Sequence, residues 1–235
     1  KDAVLAILRK ENDYISGEHI SRLLGVSRAA VNTAVKALRA EGYEISSSTN
    51  KGYHLDAVPN SISAQELAAY LDEARMQTVE CLASVDSTNN RLRELALAGA
   101  PNGQVVLANE QTQGKGRRGR AFASPQDNGI YLSILFHPDT LPTDIVEITA
   151  WTAVATNNAI EEVCGVRAGI KWVNDLVIDR KKICGILTEM SVESESGYIQ
   201  YLIIGIGINV NGQAEDFPAE IRSTATSLAM ETGKT

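Results

Sequence analysis

The sequence predicts an α+β chain in two parts, a winged helix-turn-helix followed by a larger domain in which strands and helices alternate. Three observations predict it. Residues 1 to 55 carry apolar side chains at helical spacing and then a pair of short β-type runs. Beyond residue 61, strand-like runs at Gln104 to Asn109, Ile130 to Phe136 and Tyr198 to Val210 alternate with helical patterns around Arg91 to Ala98 and Ile145 to Val163. Between two of these strands, Gly114 to Arg120 packs three glycines and four cations into seven positions, in a chain of net charge −7.

Composition bounds the class before any element is placed. The chain has 235 residues, 44% of them hydrophobic and 22% charged, with material for one large domain or two. No run approaches the roughly 18 apolar residues of a membrane span, and the N-terminus is amphipathic rather than a signal segment, so a cytoplasmic protein with no membrane partner is expected. Cys81, Cys164 and Cys184 lie far apart without metal-ligand or paired spacing, so they read as small buried hydrophobes, with no metal site. The chain starts at Lys1 and stops at Thr235 soon after an unfinished helical pattern, which reads as a piece of a longer protein.

The first element is a helix through Ala3 to Leu8, and the second a helix over Glu18 to Leu24 entered through Ser16-Gly17. Gly25-Val26 turns the chain, Ser27 caps, and Ala29 to Ala40 forms a third helix with Ala30, Val31, Ala34, Val35 and Leu38 on its apolar side. Two short strands follow, Glu41 to Ile45 and Lys51 to Leu55, joined by Ser46 to Asn50 as a hairpin wing. Helix, glycine turn and helix is the DNA-binding arrangement. Arg28, Asn32, Lys36 and Arg39 share the face opposite the apolar stripe. With Ser27 and the wing's Lys51, they are the expected DNA-binding residues. Residues 1–60 hold eight cations against seven anions, and the remainder 14 against 22. A module so weakly basic needs a dimer reading two half-sites.

Ala57 to Ser61 is the expected linker, so the domains read as 1–60 and 61–235. Ser63-Ala64-Gln65-Glu66 has the pattern of a capping box opening a helix to about Leu71. Val79 to Val85 reads as a strand, and Ser87, Thr88 and Asn89 stand before a helix, as N-caps or as ligand groups. The loop Gln111 to Ala121 reads as an anion site, since glycine permits close backbone approach and arginine offers a donor fork matched to phosphate. Its alternative is a solvated surface run. Gly114, Gly116 and Gly119 also spell a dinucleotide-binding pattern, but Pro125, Asn128 and Gly129 follow where that motif needs a helix.

Trp151, on the helix from Ile145 to Val163, is expected to pack in the core. Gly169 to Trp172 is a short strand whose Lys171, followed by Asn174 and Asp175, reads as a catalytic cation with orienting partners or as a lysine at a strand edge. Asp179 to Lys182 reads as a turn. The glycines of Ile203 to Asn209 allow close backbone approach, and Asn209 has an amide suited to a heterocycle edge. Pro218 to Met230 is expected to be a loop and a helix. His19, His54 and His137 are remote from these features, so no Ser/His/Asp triad is expected.

Taken together, Ser87-Thr88-Asn89, Gly114 to Arg120, Lys171-Trp172-Val173-Asn174-Asp175, Lys182 to Leu187 and Gly205 to Asn209 resemble the biotin protein ligase family, across essentially the whole chain. With a winged helix in front, the resemblance is to its bifunctional branch, ligases that also repress the biotin operon. It implies a mixed-sheet catalytic domain of the biotin/lipoyl ligase type. The implied reaction joins biotin to MgATP, giving biotinyl-5'-adenylate and pyrophosphate, and then passes the biotinyl group to a lysine of a biotin carboxyl carrier protein. The adenylate would also be the corepressor of a homodimer on operator DNA. By position, Ser87, Thr88, Asn89, Gln111, Gly114, Lys115, Lys171 and Gly185 would hold biotin. Arg117, Arg118, Arg120, Phe122, Lys171, Lys182 and Asn209 would hold ATP or the adenylate. Lys171, Arg117 and Arg120 would be catalytic, and the loop would close over a hydrolysable mixed anhydride.

The sequence departs from the family at Phe122, where Trp is frequent, at Val173, where Pro is usual, and at Lys115, where Arg is common. The small C-terminal β-barrel usual in the family is expected to be missing. Two alternatives stay open, a ligand-sensing repressor with little turnover and a ligase of the related lipoyl type.

Overall fold

Three amphipathic helices and a hairpin build the N-terminal unit, Lys1–Ser61. Helix α1 (Asp2–Lys10), α2 (Gly17–Leu24) and α3 (Arg28–Ala40) precede strands β1 (Glu44–Ser48) and β2 (Gly52–Ala57), which pair antiparallel. The computed structural model describes residues 1–139 and 142–234, so Thr235, the end of the expected second domain, lies outside the described residues.

Local chemistry fixes the starts of α2 and α3 and the end of α2. The Ser16 hydroxyl accepts from His19 N and the Ser27 hydroxyl from Ala30 N, each cap contributing about 1 kcal/mol. Gly25 ends α2 at φ 65°, a left-handed conformation that glycine adopts without strain. Inward faces meet in a core of Val4, Leu5, Leu8, Ile20, Val31, Val35, Leu38, Tyr43 and Ile45. Each such side chain is worth roughly 1.5–3 kcal/mol relative to an exposed one. The wing strands differ from the sequence expectation. Glu41 to Tyr43 are the end of α3 and a turn, and Ser46 to Ser48 belong to β1, because the serines continue the ladder as far as the turn at Thr49 to Lys51.

The second unit, Ile62–Thr235, opens with two single turns of helix, α4 (Ala64–Leu67) and α5 (Glu73–Met76). It continues through β3 (Val79–Leu82), α6 (Thr88–Leu97), β4 (Val105–Ala108), β5 (Gly129–Phe136), α7 (Ile145–Cys164), β6 (Gly169–Lys171), β7 (Asp175–Ile178), β8 (Lys181–Val192), β9 (Ile199–Asn209) and α8 (Leu228–Thr232). Seven strands form one sheet in the order β3-β4-β5-β9-β8-β7-β6. Only β3 and β4 run parallel, so the sheet is mixed.

Period-2 alternation sorts side chains between the two faces of this sheet. Cys184, Ile186, Leu202, Ile204, Ile206 and Ile208 pack with Ala153 and Ile160 of α7 on one face. On the other, Leu135 and Ile203 pack with Leu92 of α6. That second face also carries Gly185, Gly205, Gly207 and Ser133, with Ser133 opposite Gly205 and Gly185 opposite Gly207. Glycine in these positions replaces a packed core with a hollow.

Several expectations change. Trp151 is 67% exposed, because the face of α7 toward the sheet carries Thr149, Ala153, Thr156, Asn157 and Ile160. Lys181 and Lys182 belong to β8 rather than to a turn, since the tight turn lies at Asp179 and Arg180, both at positive φ. Pro218 to Met230 begins as turns and pairs with β8 through Ala225, and its helix starts only at Leu228, capped by Ser227. Ser63 caps α4, which stops at Leu67. Cys184 is buried, whereas Cys81 and Cys164 are partly exposed.

Candidate functional site

The glycine hollow is roofed by the basic loop, which is itself folded. Gly116 N donates to Arg120 O at 2.7 Å and Phe122 N to Gly114 O at 2.8 Å, so the loop closes as a small hairpin around the turn Arg117–Gly119. Gln111 anchors its base. Its backbone pairs with Val85 and Ser124, its Oε1 accepts from Thr88 N at 2.9 Å, and its Nε2 donates to Ser124 Oγ at 2.9 Å. Phe122 lays its ring on the two facing glycines, where a Cβ on Gly207 would stand 2.5 Å from the ring and one on Gly185 3.2 Å. Only glycine leaves that seat open.

Two clefts lie on either side of this ring. The smaller is lined by Ser87, Thr88, Asn89, Gln111, Lys115 and Gly185 of the expected biotin set, with Gly205 and Gly207 on its floor. Ser87 is buried, and its hydroxyl makes no capping bond to α6. The wider cleft takes in all seven residues expected to hold the nucleotide, Arg117, Arg118, Arg120, Phe122, Lys171, Lys182 and Asn209, with Phe217 and Ile221 on a further wall. Arg117, Phe122, Asn174 and Lys182 line both clefts and form the wall between them.

That wall is cross-tied. Arg117 Nη1 donates to Asn174 Oδ1 at 2.9 Å, and Asn174 Nδ2 donates to the Ile186 carbonyl at 3.2 Å. Lys182 Nζ pairs with Asp175 Oδ1 at 2.7 Å and stands 5.6 Å from the centre of the Phe122 ring. The Lys182 backbone is clamped as well, its N–H to Thr224 O at 2.8 Å and its carbonyl accepting from Thr226 N at 2.9 Å. Asp175 at the ammonium and the clamp on the backbone together keep Lys182 on the wall. Behind the wall, burial pushes the Cys184 thiol up to about 12, with Lys182 pulling it down less strongly and Asp175 pushing it up.

The structure separates some residues that the sequence grouped. Lys171 lines the wider cleft but not the smaller, because β6 places it at the sheet's end on an exposed strand. Gly114 lines neither cleft. Its carbonyl takes Phe122 N, and a Cβ there would strike Phe122 O, so it serves the hairpin's closure. Asn209 donates its Nδ2 to Thr226 O at 3.0 Å and Lys182 O at 3.3 Å, which ties it to the clamp. Lys115 Nζ is taken by Asn90 Oδ1.

In the N-terminal unit, Arg28, Asn32, Lys36 and Arg39 line a groove between α3 and the wing, along with Ser47, Thr49 and Asn50. Four expected DNA contacts have other engagements, the first being Asn32, whose Nδ2 donates to the Tyr53 hydroxyl at 3.2 Å. Ser27 caps α3. Arg39 donates to the Ile45 carbonyl and to Ser47 Oγ, strapping helix to wing. Lys51 lies outside the groove with its ammonium 5.8 Å from the Tyr14 ring centre.

Sequence reasoning left out Ser133, Glu189 and the wall role of Asn174. A lone serine inside Ile130 to Phe136 was the available signal for Ser133. Glu189, 100 positions from its partner Asn89, gave none.

Residues 81–209 match the model of the biotin/lipoate A/B protein ligase family, and residues 1–54 match an HTH domain. The chain is 40% identical over all 235 residues to the bifunctional ligase/repressor BirA of Bacillus subtilis, of which it spans 72%. It is 29% identical over 206 residues to the protein of that name from Escherichia coli, spanning 62% of it. A solved biotin protein ligase from Aquifex aeolicus, in complex with biotin and ATP, superposes with a TM-score of 0.56 at 34% identity, covering 66% of this chain and 61% of that one.

Proposed function

Since the chain belongs to the biotin/lipoate A/B protein ligase family, we propose that it joins biotin to ATP as biotinyl-5'-adenylate and transfers the biotinyl group to a lysine of a biotin carboxyl carrier protein. In the same proposal its winged helix binds operator DNA, and the adenylate-occupied chain does so as a dimer. The observation that carries this reading is the shared wall of Arg117, Phe122, Asn174 and Lys182 between two clefts. A condensation of two substrates needs two adjoining pockets that meet at charge-stabilising groups.

Biotin's bicyclic head fits the smaller cleft, where short polar side chains, the Ser87 hydroxyl among them, face a glycine floor. ATP occupies the wider cleft, whose cationic lining includes Arg117, Arg118, Arg120 and Lys171 besides Lys182. In the first step a carboxylate oxygen of biotin attacks the α-phosphorus, the anhydride bond forms and pyrophosphate leaves with the bond's electrons. Two anions must approach each other, so fixed positive charge at the meeting point is the main catalytic requirement. Lys182 and Arg117, which line both clefts, are the groups assigned to that point in this reading, with Lys182 rather than Lys171 in the central role. Arg118, Arg120 and Lys171 hold the departing phosphates. In the second step the carrier lysine's amine attacks the acyl carbon and AMP leaves. Mg2+ enters as part of the MgATP substrate.

The two activities are linked if the adenylate favours both the closed loop and the dimer, because a ligand shifts a conformational equilibrium only by its differential affinity. The test is exchange of labelled pyrophosphate into ATP. Exchange that requires biotin and is not supported by lipoate is the expected result. Biotin binding without exchange would leave a sensor in place of a ligase.

A further inference from the structure

The floor of the smaller cleft continues into a polar chain that ends in an ion pair. Asn89, in the first turn of α6, is buried and lies over Gly205, where a Cβ would run into its Oδ1. Its Nδ2 donates to Glu189 Oε2 at 2.7 Å, and Arg93 Nη2 donates to Glu189 Oε1 at 2.9 Å. On the other side, Ser133 Oγ stands 2.6 Å from Asn89 Oδ1 and 2.7 Å from Thr88 Oγ1.

The physics of a primary amide makes Glu189 decisive here. An asparagine side chain can flip by half a turn and exchange donor for acceptor at little cost in shape. A carboxylate only accepts, so it binds the NH2 end and sends the carbonyl oxygen the other way. Arg93 occupies the carboxylate's second oxygen and holds it in place. The Asn89 oxygen is thereby aimed at Ser133, whose single proton is divided between Asn89 and Thr88. Donor and acceptor sense is set for the whole row beside Gln111 by one charge that lines neither cleft.

We propose that Glu189 is a positioning residue for the smaller cleft, acting through Asn89, which it locks with its carbonyl oxygen toward Ser133 and the ligand-facing hydroxyls. The inference rests on the reading that biotin occupies this cleft, and it concerns affinity for that substrate alone. A ligand whose ureido group must be met by donors and acceptors in a fixed order is sensitive to a single amide flip.

The experiment is a charge swap read by biotin-dependent pyrophosphate exchange, with thermal melts confirming that each variant folds. In Glu189→Gln the locking group can donate as well as accept. The KM for biotin is expected to rise roughly tenfold or more, with kcat within about threefold and the KM for ATP unchanged. Asn89→Asp sets two carboxylates against each other and is expected to raise the KM for biotin by a similar factor. In the double variant, Asn89→Asp with Glu189→Gln, the amide now on β8 donates to the carboxylate now on α6, Arg93 still neutralises the pair, and an oxygen again faces Ser133. Recovery of the biotin KM to within about threefold of wild type is expected. A residue that merely braces the fold would show no such rescue. A wild-type KM in Glu189→Gln, or a double variant no better than the worse single one, overturns the proposal. Absence of exchange in the wild type would fell the ligase reading instead, and the same three variants would then be compared by direct biotin titration with the same criteria.

Discussion

Replacing Lys182 with methionine keeps the stem and removes the charge, and it tests where the reaction takes place. A full charge about 4 Å from a developing anion at an effective dielectric near 20 is worth up to about 4 kcal/mol. Two features of the structure reduce that figure. Asp175 Oδ1 lies 2.7 Å from Nζ and offsets part of the field, and the lysine side chain is 34% exposed. A net loss of about 2–3 kcal/mol remains, a fall of roughly one hundredfold in adenylate formation. Lys171→Met removes a charge from the wider cleft only, on a strand exposed along its length. It is expected to cost less than tenfold, mostly as a higher KM for ATP. Both variants are read by single-turnover formation of the adenylate with biotin and ATP saturating. A loss below tenfold in Lys182→Met, or a larger loss in Lys171→Met, would refute the assignment of the junction to Lys182.

Three further predictions concern other parts of the chain. Arg39→Ala frees the wing by removing the bonds to Ile45 and Ser47, so operator affinity should fall with the salt dependence unchanged, whereas Lys36→Ala should lower the salt slope by about 1. Titrations at several salt concentrations separate the two, and an altered slope in Arg39→Ala would place that side chain on phosphate. Gly205→Ala forces a Cβ against Asn89, expected to lower stability by about 1–3 kcal/mol and to weaken biotin binding while sparing ATP. Unchanged biotin affinity would show that the floor has room to spare. Burial holds the Cys184 thiol protonated up to about 12, above its ordinary value near 9. Its contribution to stability is therefore complete below about pH 9 and is lost progressively as pH rises from there toward 12. Alkylation at pH 8 should reach the partly exposed Cys81 and Cys164 and spare Cys184, and early labelling of Cys184 would mean that its strand opens readily.

Much of this architecture was legible because its causes are local. The alternation Gly205-Ile206-Gly207-Ile208 gives isoleucines to the α7 face and glycines to the site, and the period of two carries that information in the sequence. Ser27 before an apolar helix and Gly25 before it mark a turn through chemistry that acts within four residues. What escaped is set by distance along the chain. Trp151 lies on a helix hydrophobic around much of its circumference, so the pattern alone does not say which side meets the sheet. Lys171 reads as a strand lysine and Lys182 as a turn residue, and only the pairing of β8 in the sheet shows that Lys182 reaches the wall. The basic loop reads as an anion site or a solvated run, and neither reading contains the backbone bonds that close it across its base through Gly114, Gly116, Arg120 and Phe122. Arg39 shares a helix face with Asn32 and Lys36, and its strap to the wing depends on how the hairpin returns.

The central claim is that two substrates meet at the wall of Arg117, Phe122, Asn174 and Lys182. A crystal structure with a non-hydrolysable biotinyl-adenylate analogue tests it most directly. The bicyclic head is expected over Gly205 and Gly207, the adenosine in the wider cleft, and a phosphate oxygen about 3 Å from Lys182 Nζ. A phosphate held by Lys171, with Lys182 still bound to Asp175 alone, would contradict it.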